Sequence, residues 1–197
     1  EAAQRTNSVS PSWYVWQGLG GSMGLKTGHS YGYAWDKYGK DHPEWFALQP
    51  NGSRDQSASP GRARFDISNQ ELQAAIARDR IEELDRNPGQ MSVSIDPNDG
   101  GYNTFCLDEA CKALDPPGAR MITRTWLDRL SEDKTTYTYQ MPASLTDRMV
   151  YFWNGIAERV TAKYPDAILT VRAYSAYVDP PVMRRLHPNI AVEQVSA

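Results

Sequence analysis

The sequence predicts an α/β fold built around a parallel β-sheet. Strand-like and helix-like hydrophobic patterns alternate along the chain, and polar residues gather directly after the predicted strands. Strands separated by helices pair in parallel through right-handed crossovers, and such sheets bind ligands at the carboxyl ends of their strands. The 197 residues can bury one large core. We therefore expect a single domain over residues 1–197.

The predicted elements follow one another with clear boundary signals. Ser68-Asn69-Gln70-Glu71 forms a capping box for a helix that Pro88-Gly89 ends, and Pro165 ends a second helix. Residues 112–143 are expected to form an elaborated loop with a short helix. In chain order the elements are a strand over 24–31 ending at His29, the helix from Ser68, a strand from Met91 to Ile95, a helix from Ser144 or Thr146 to Tyr164, and the strands "AILTVRAY" and "IAVEQVS".

Composition excludes several classes of function. The formal net charge is -3, with acidic and basic residues interleaved, which argues against nucleic acid and anionic membranes as partners. The apolar runs are far shorter than the ~20 residues that span a bilayer. The glycines of "GLGGSMG" have the wrong spacing for a dinucleotide loop, so no cofactor is predicted. Cys106 and Cys111 permit a local disulfide or two free thiols, and no bound metal is expected.

A polar cluster follows the central predicted strand. The stretch "IDPNDGG" contains Asp96, Asn98 and Asp99, whereas an ordinary turn needs only one such residue. These side chains could be simple turn formers, because Asx residues before Pro and Gly bond to their own backbone. They could equally form a functional site at the edge of the sheet.

Two further strands carry polar residues in similar positions. His29 could be an ordinary hydrogen-bonded histidine at a strand end, and Glu193 could lie on an exposed edge strand. A carboxylate within a buried strand is costly unless it faces a polar cavity, which favours a functional position for Glu193. Aromatic side chains such as Trp35 and Tyr174 could stack on sugar faces or fill the core.

Four segments together carry a family pattern, in order and spacing. They are "GHSYGYAWDKYGKDHPEWFALQPNGSR", "DISNQE", "SVSIDPNDGGYNTFCLDEACKALD" and "LTDRMVYFWNGIAERVTAKYPDAILTVRAYSAYVDPP". They resemble the bacterial glycoside-hydrolase-like family catalogued as domain of unknown function 4838, over nearly the whole chain. In that family Asn-Asp is usually followed by Cys-x-Cys-x-x-Cys. Here Asn98-Asp99, Cys106 and Cys111 match, but Asp108 replaces the middle cysteine, so no metal or disulfide role is carried over.

The resemblance implies a fold and a register. Its members look like relatives of the α-glucuronidase and β-hexosaminidase barrels, which have a (β/α)8 TIM-barrel fold. Gly28-His29 would then end the third strand and Asn98-Asp99 the fourth, with "AILTVRAY" and "IAVEQVS" as the fifth and sixth. A complete barrel takes ~250 residues. The chain is therefore expected to be the middle part of a barrel, about strands 3 to 6, and a fragment of a longer protein.

The resemblance also implies glycoside hydrolysis of a polysaccharide or glycan at a secreted or periplasmic location. Asp99 would be the general acid, with Asp96 raising its pKa. Glu193 would be the second carboxylate, unless that group lies in a part of the protein beyond this chain or the substrate supplies its own nucleophile. The groups that would bind the sugar are His29, Asn98, Tyr174 and Trp35. A non-catalytic glycan-binding barrel and a purely structural module are the alternatives. Oligomeric state cannot be read from the sequence.

Overall fold

The computed structural model describes residues 24–55, 60–99 and 103–195. The glycine-rich segment at 18–21 and the pair Gly100-Gly101 lie outside these ranges. Within them the α-helices are α1 (Ala34–Tyr38), α2 (Gln70–Arg86), α3 (Glu109–Lys112) and α4 (Thr146–Thr161). The strands are β1 (Ser92–Ser94), β2 (Met121–Leu127), β3 (Thr136–Pro142), β4 (Ile168–Ala173) and β5 (Ile190–Gln194).

The predicted parallel sheet is confirmed. Its strand order is β1-β4-β5, and both pairings are parallel. Val93 pairs with Leu169, and Leu169 in turn pairs with Ile190. These three apolar side chains are buried, so the middle of the sheet forms part of the core.

Residues 26–30 run beside β1 and extend the sheet, although they form only an isolated bridge rather than the predicted strand. His29 pairs with Asp96 in parallel. The Lys26 N–H donates to Ser92 Oγ at 2.8 Å, and the Ser30 N–H donates to the Asp96 carbonyl at 3.2 Å. Four neighbouring segments therefore point their carboxyl ends at one edge. In the described ranges they form an open sheet and not a closed barrel.

Helices α2 and α4 pack against each other and supply much of the core. Gly155 of α4 lies so close to α2 that a Cβ atom there would come within 2.0 Å of Gln73 Oε1. The absence of a side chain at Gly155 thus sets how closely the helices approach. Fully buried core residues of these helices are Leu72, Ala75, Ile76, Met149, Val150, Phe152, Ile156 and Val160.

Helix α2 begins one residue later than the capping box predicts. The Asn69 side chain, rather than that of Ser68, accepts a hydrogen bond from the Leu72 N–H at 2.9 Å. Ser68 Oγ instead donates to Asp66 Oδ1 at 2.5 Å. Asn is as good an N-cap as Ser. Because the Ser68 hydroxyl donates to the buried Asp66 carboxylate, Asn69 caps the helix instead.

The prediction for residues 112–143 was wrong in its main element. The short helix α3 ends at Lys112, where this region begins, and most of the region is an antiparallel hairpin of β2 and β3, with Arg124 opposite Tyr139. The segments "TRTWL" and "TYTYQ" are rich in β-branched and aromatic residues, which favour strands. The hairpin lies apart from the parallel sheet in hydrogen bonding, as a separate two-stranded sheet.

The connection from β4 to β5 contains a 3-10 turn at Ser175–Tyr177 instead of an α-helix. Side chains of α4 hold it in place. The Asp147 carboxylate accepts the backbone N–H groups of Val182, Met183 and Arg184 at 2.8–3.0 Å. Asn154 accepts the His187 N–H at 2.8 Å and donates to the Arg185 carbonyl at 2.8 Å. Helix α4 thereby orders the path that leads into β5.

Candidate functional site

Four polar residues lie side by side at the carboxyl edge of the parallel sheet. His29 pairs with Asp96, Asp96 is bound by Arg172, and Arg172 lies opposite Glu193 in the register of β4 and β5. We call these four residues the charged row. Their signs can alternate, since histidine is positive when protonated. The row forms because each residue lies at or near the carboxyl end of one of four neighbouring parallel segments.

Asp96 is the buried centre of the charged row, with a side chain only 2% exposed. The Arg172 backbone N–H donates to its Oδ1 at 3.1 Å, and Arg172 Nε donates to its Oδ2 at 2.8 Å. Burial raises the pKa of the Asp96 carboxyl above its ordinary value, against the opposing effects of Arg172 and His29. From the sequence, Asp96 was expected to raise the pKa of Asp99. In the structure the Asp96 carboxylate is bound by Arg172 instead.

The two ring nitrogens of His29 differ in their contacts. Nδ1 contacts the protein, whereas Nε2 has no hydrogen-bond partner among the described residues. Its Nδ1 lies 2.6 Å from the Pro97 carbonyl and 3.4 Å from Asp96 Oδ2. A carbonyl oxygen can only accept, so Nδ1 must carry the hydrogen. In the neutral ring Nε2 is then the acceptor, and the side chain is 36% exposed. His29 can therefore offer Nε2 to a ligand hydroxyl.

Asn98 and Asp99 differ sharply in their surroundings. Asn98 is buried, and its Nδ2 donates to the carbonyls of Ala63 at 2.9 Å and Tyr31 at 3.3 Å. Its Oδ1 is buried without a hydrogen-bond partner in the described part of the chain. The Asp99 side chain is 44% exposed and lies 3.8 Å from Arg62 Nη1. Asn98 thus anchors the turn, and Asp99 is the carboxylate that faces solvent.

The remaining predicted residues fall in three different places. Glu193 is exposed at the end of the charged row. Tyr174 follows β4 directly and is 41% exposed, which leaves its ring accessible. Trp35 lies in α1, where its ring packs edge-on against Phe46 with centroids 4.6 Å apart. Trp35 therefore belongs mainly to the core cluster and not to the charged row.

Arg64 was missed by the sequence reasoning, because it lies in a loop that has no hydrophobic period. Its guanidinium stacks on the Phe105 ring, 3.9 Å from the centroid. Its Nε is buried and has no hydrogen-bond partner among the described residues. Burial lowers the pKa of Arg64, although Tyr177 and Asp55 act in the opposite direction. Cationic side chains thus accompany the carboxylates on this side of the molecule.

Comparison with models of protein families shows which family the chain belongs to. A family model described as domain of unknown function (DUF4838) matches residues 3–196. The chain belongs to this family. No curated protein and no solved structure matches it. The family resemblance read from the sequence is thereby confirmed at the level of the domain of unknown function.

The two cysteines of this DUF4838 domain are free thiols and are buried. They lie close to Asp66, a residue that the cysteine spacing could not reveal. In the described ranges, no helix of the domain combines the length and the apolar character that crossing a membrane requires.

Proposed function

We propose that this DUF4838 domain is a glycoside hydrolase that acts on a polysaccharide or glycan at the carboxyl edge of its parallel sheet. The observation that supports this most directly is the charged row, flanked by the solvent-facing carboxylate of Asp99 and the accessible ring of Tyr174. Glycoside cleavage needs two carboxyl groups in different environments together with groups that bind hydroxyls.

The proposal includes a (β/α)8 barrel of which this chain would form about strands 3 to 6. Support comes from the order of residues 26–30, β1, β4 and β5, which are adjacent in space in the same order as in the chain. Consecutive parallel strands of a barrel are neighbours in this way.

In the proposed mechanism Asp99 donates a proton to the leaving glycosidic oxygen as the bond to the anomeric carbon breaks. Glu193 either activates the attacking water or attacks the anomeric carbon itself. His29 accepts a hydrogen bond from a sugar hydroxyl through Nε2. Asp96 has a positioning role. It binds Arg172 and lies close to His29, and it thereby orients both side chains.

A non-catalytic glycan-binding domain is the second candidate. It is favoured by the position of Asp99, which is half exposed beside Arg62, whereas a general acid needs burial or a neighbouring negative charge to stay protonated. Sugar binding through His29 and Tyr174 would not require that proton.

The deciding experiment uses the full-length protein and compares hydrolysis and binding of a glycan panel by the wild type, Asp99→Asn and the control Asp41→Asn, which changes an exposed loop carboxylate. If Asp99 is the general acid, Asp99→Asn loses about 100-fold or more of the turnover and keeps its sugar affinity. Aryl glycosides with good leaving groups should be partly rescued, since they need little proton assistance. Full activity of Asp99→Asn on natural glycans refutes the role, and binding without any turnover identifies the second candidate.

A further inference from the structure

Three side chains of metal-binding type meet in the interior, away from the charged row. Asp66 precedes α2, Cys106 precedes α3, and Cys111 lies within α3. All three are buried, and their ligand atoms lie within 4.8 Å of one another. We call them the Asp66 cluster. Asp66 is far from the two cysteines in the sequence, so the cluster links two separate segments of the fold.

The distances in the Asp66 cluster suit a tetrahedral ion. Zinc–sulfur bonds of ~2.3 Å and zinc–oxygen bonds of ~2.0 Å place neighbouring ligand atoms roughly 3.5–3.8 Å apart. Cys111 Sγ already lies 3.1 Å from Asp66 Oδ1, where the thiol donates to the carboxylate. An ion that replaces this thiol proton would require only small movements of the side chains.

The Cys106 sulfur accepts a hydrogen bond from the backbone. The Asp108 N–H donates to its Sγ at 3.5 Å. Metal-bound thiolates are commonly stabilised by such second-sphere donors.

The groups behind the Asp66 cluster orient the carboxylate and balance charge. Arg54 donates to Asp66 Oδ2 at 3.2 Å and to Asp108 Oδ2 at 2.8 Å. The Ser68 N–H donates to Asp66 Oδ1 at 3.1 Å. Two thiolates, one carboxylate and a divalent cation carry one net negative charge, which the Arg54 guanidinium, shared with the partly exposed Asp108 carboxylate, offsets in part. A buried ionic site is favourable only when its charges are compensated in this way.

We propose that Asp66, Cys106 and Cys111 bind a soft divalent cation of the Zn²⁺ type, which fastens the segment before α3 to the start of α2. The two thiols lose their protons to solvent as the ion enters. A water molecule completes the coordination. This structural site is independent of the proposed glycoside hydrolysis.

The test uses Co²⁺ as a spectroscopic probe and Zn²⁺ as its competitor. The chain, purified under reducing conditions and stripped with a chelator, should bind about one equivalent of Co²⁺ with an absorption band from thiolate-to-cobalt charge transfer. Zn²⁺ should abolish the band and raise Tm. Removal of one partner around a metal ligand typically costs 10–100-fold in affinity, so loss of a ligand should cost at least about 100-fold.

The variants Cys106→Ser, Cys111→Ser and Asp66→Asn should therefore lose the band, while Glu109→Gln, which changes an exposed carboxylate in α3, keeps it. Because a ligand variant could fail to fold, alkylation of the wild-type thiols provides a separate readout. Zn²⁺ should protect both thiols, and chelator should expose them. Thiols equally reactive with and without Zn²⁺ would overturn the proposal.

Discussion

Arg172 binds the Asp96 carboxylate twice from the adjacent strand, through its backbone N–H at 3.1 Å and its Nε at 2.8 Å. One contact depends on strand pairing and the other on the side chain. Truncating the side chain therefore removes the guanidinium while the backbone donor remains. Substitution of Arg172 therefore tests how much its guanidinium contributes to stabilising the charged row.

Replacing Arg172 with Met should destabilise the protein by about 3 kcal/mol at neutral pH, because it leaves the buried Asp96 carboxylate without its cation. Urea unfolding measures the change. Adding Asp96→Asn to the variant should restore part of the loss, since the buried charge is then gone. Arg78→Met, on the exposed face of α2, serves as the matched control and should change stability little. Equal losses for Arg172→Met and Arg78→Met would contradict the prediction.

The same variant carries a pH prediction. Burial already raises the folded-state pKa of Asp96, and loss of Arg172 should raise it further. A carboxyl with a raised folded pKa contributes stability below its unfolded pKa of about 3.9 and loses it as pH rises through the folded value. The deficit of Arg172→Met should therefore be small near pH 4 and grow toward pH 7. A deficit that is constant with pH would show that Asp96 is not its cause.

Glu83 should have the opposite pH dependence. Burial raises its pKa, but hydrogen bonds from Lys26 and Gln90 and the charge of Arg80 outweigh burial and lower it. Its stabilising contribution is present above the unfolded pKa of about 4.3 and is lost as pH falls through the folded value. Glu83→Gln should cost about 1–2 kcal/mol at pH 7 and less as the pH falls. The exposed neighbour Glu82→Gln is the control in pH-dependent unfolding experiments.

Asn98→Asp should distinguish anchoring from sugar binding. The substitution replaces an amide that donates to Ala63 and Tyr31 with an acceptor that faces the same two carbonyls. We expect a loss of about 2–3 kcal/mol in unfolding free energy. Asn98→Asp with native stability but a raised KM for glycans would instead mean that Asn98 binds the substrate.

Asp147→Ala should loosen the connection between β4 and β5. Three backbone N–H groups lose a charged acceptor, and hydrogen bonds to charged groups contribute about 1.5–3 kcal/mol each. Hydrogen exchange should accelerate at residues 182–184 and in β5 while β1 stays protected. The exposed Asp166→Ala is the control. Uniform acceleration throughout the sheet would mean that the effect is global rather than local.

Elements with a strong hydrophobic period were predicted well from the sequence. Helices α2 and α4 and strands β1, β4 and β5 all lie where the pattern places them, with boundaries shifted by a few residues. The hairpin of β2 and β3 was missed because β2 is exposed along most of its length and shows no alternating pattern, although β3 alternates between exposed and partly buried residues. The alternation in "TYTYQM" and the β-branched and aromatic content of both strands are the signals that could have revealed it.

The candidate site was predictable only in part. Strand ends drew attention to His29, Asp96 and Glu193, and the structure brings these three into one row. Arg172 looked like an ordinary residue of "AILTVRAY", because its role depends on which strand lies beside it. Asp66 and Arg64 act across long sequence separations from loops that carry no periodic signal. Strand pairing and loop contacts of this kind cannot be predicted from local hydrophobic patterns.

The α4 anchors also imply an order of events during folding. The connection to β5 is fixed by Asp147 and Asn154, which face it only once α4 is helical. Parallel pairing of β5 with β4 must in addition close a long loop, which is slow when no contacts are formed beforehand. We therefore expect β5 to join the sheet late. During synthesis, α4 leaves the ribosome before the connection does, so the docking points for the last strand would already be in place when it emerges.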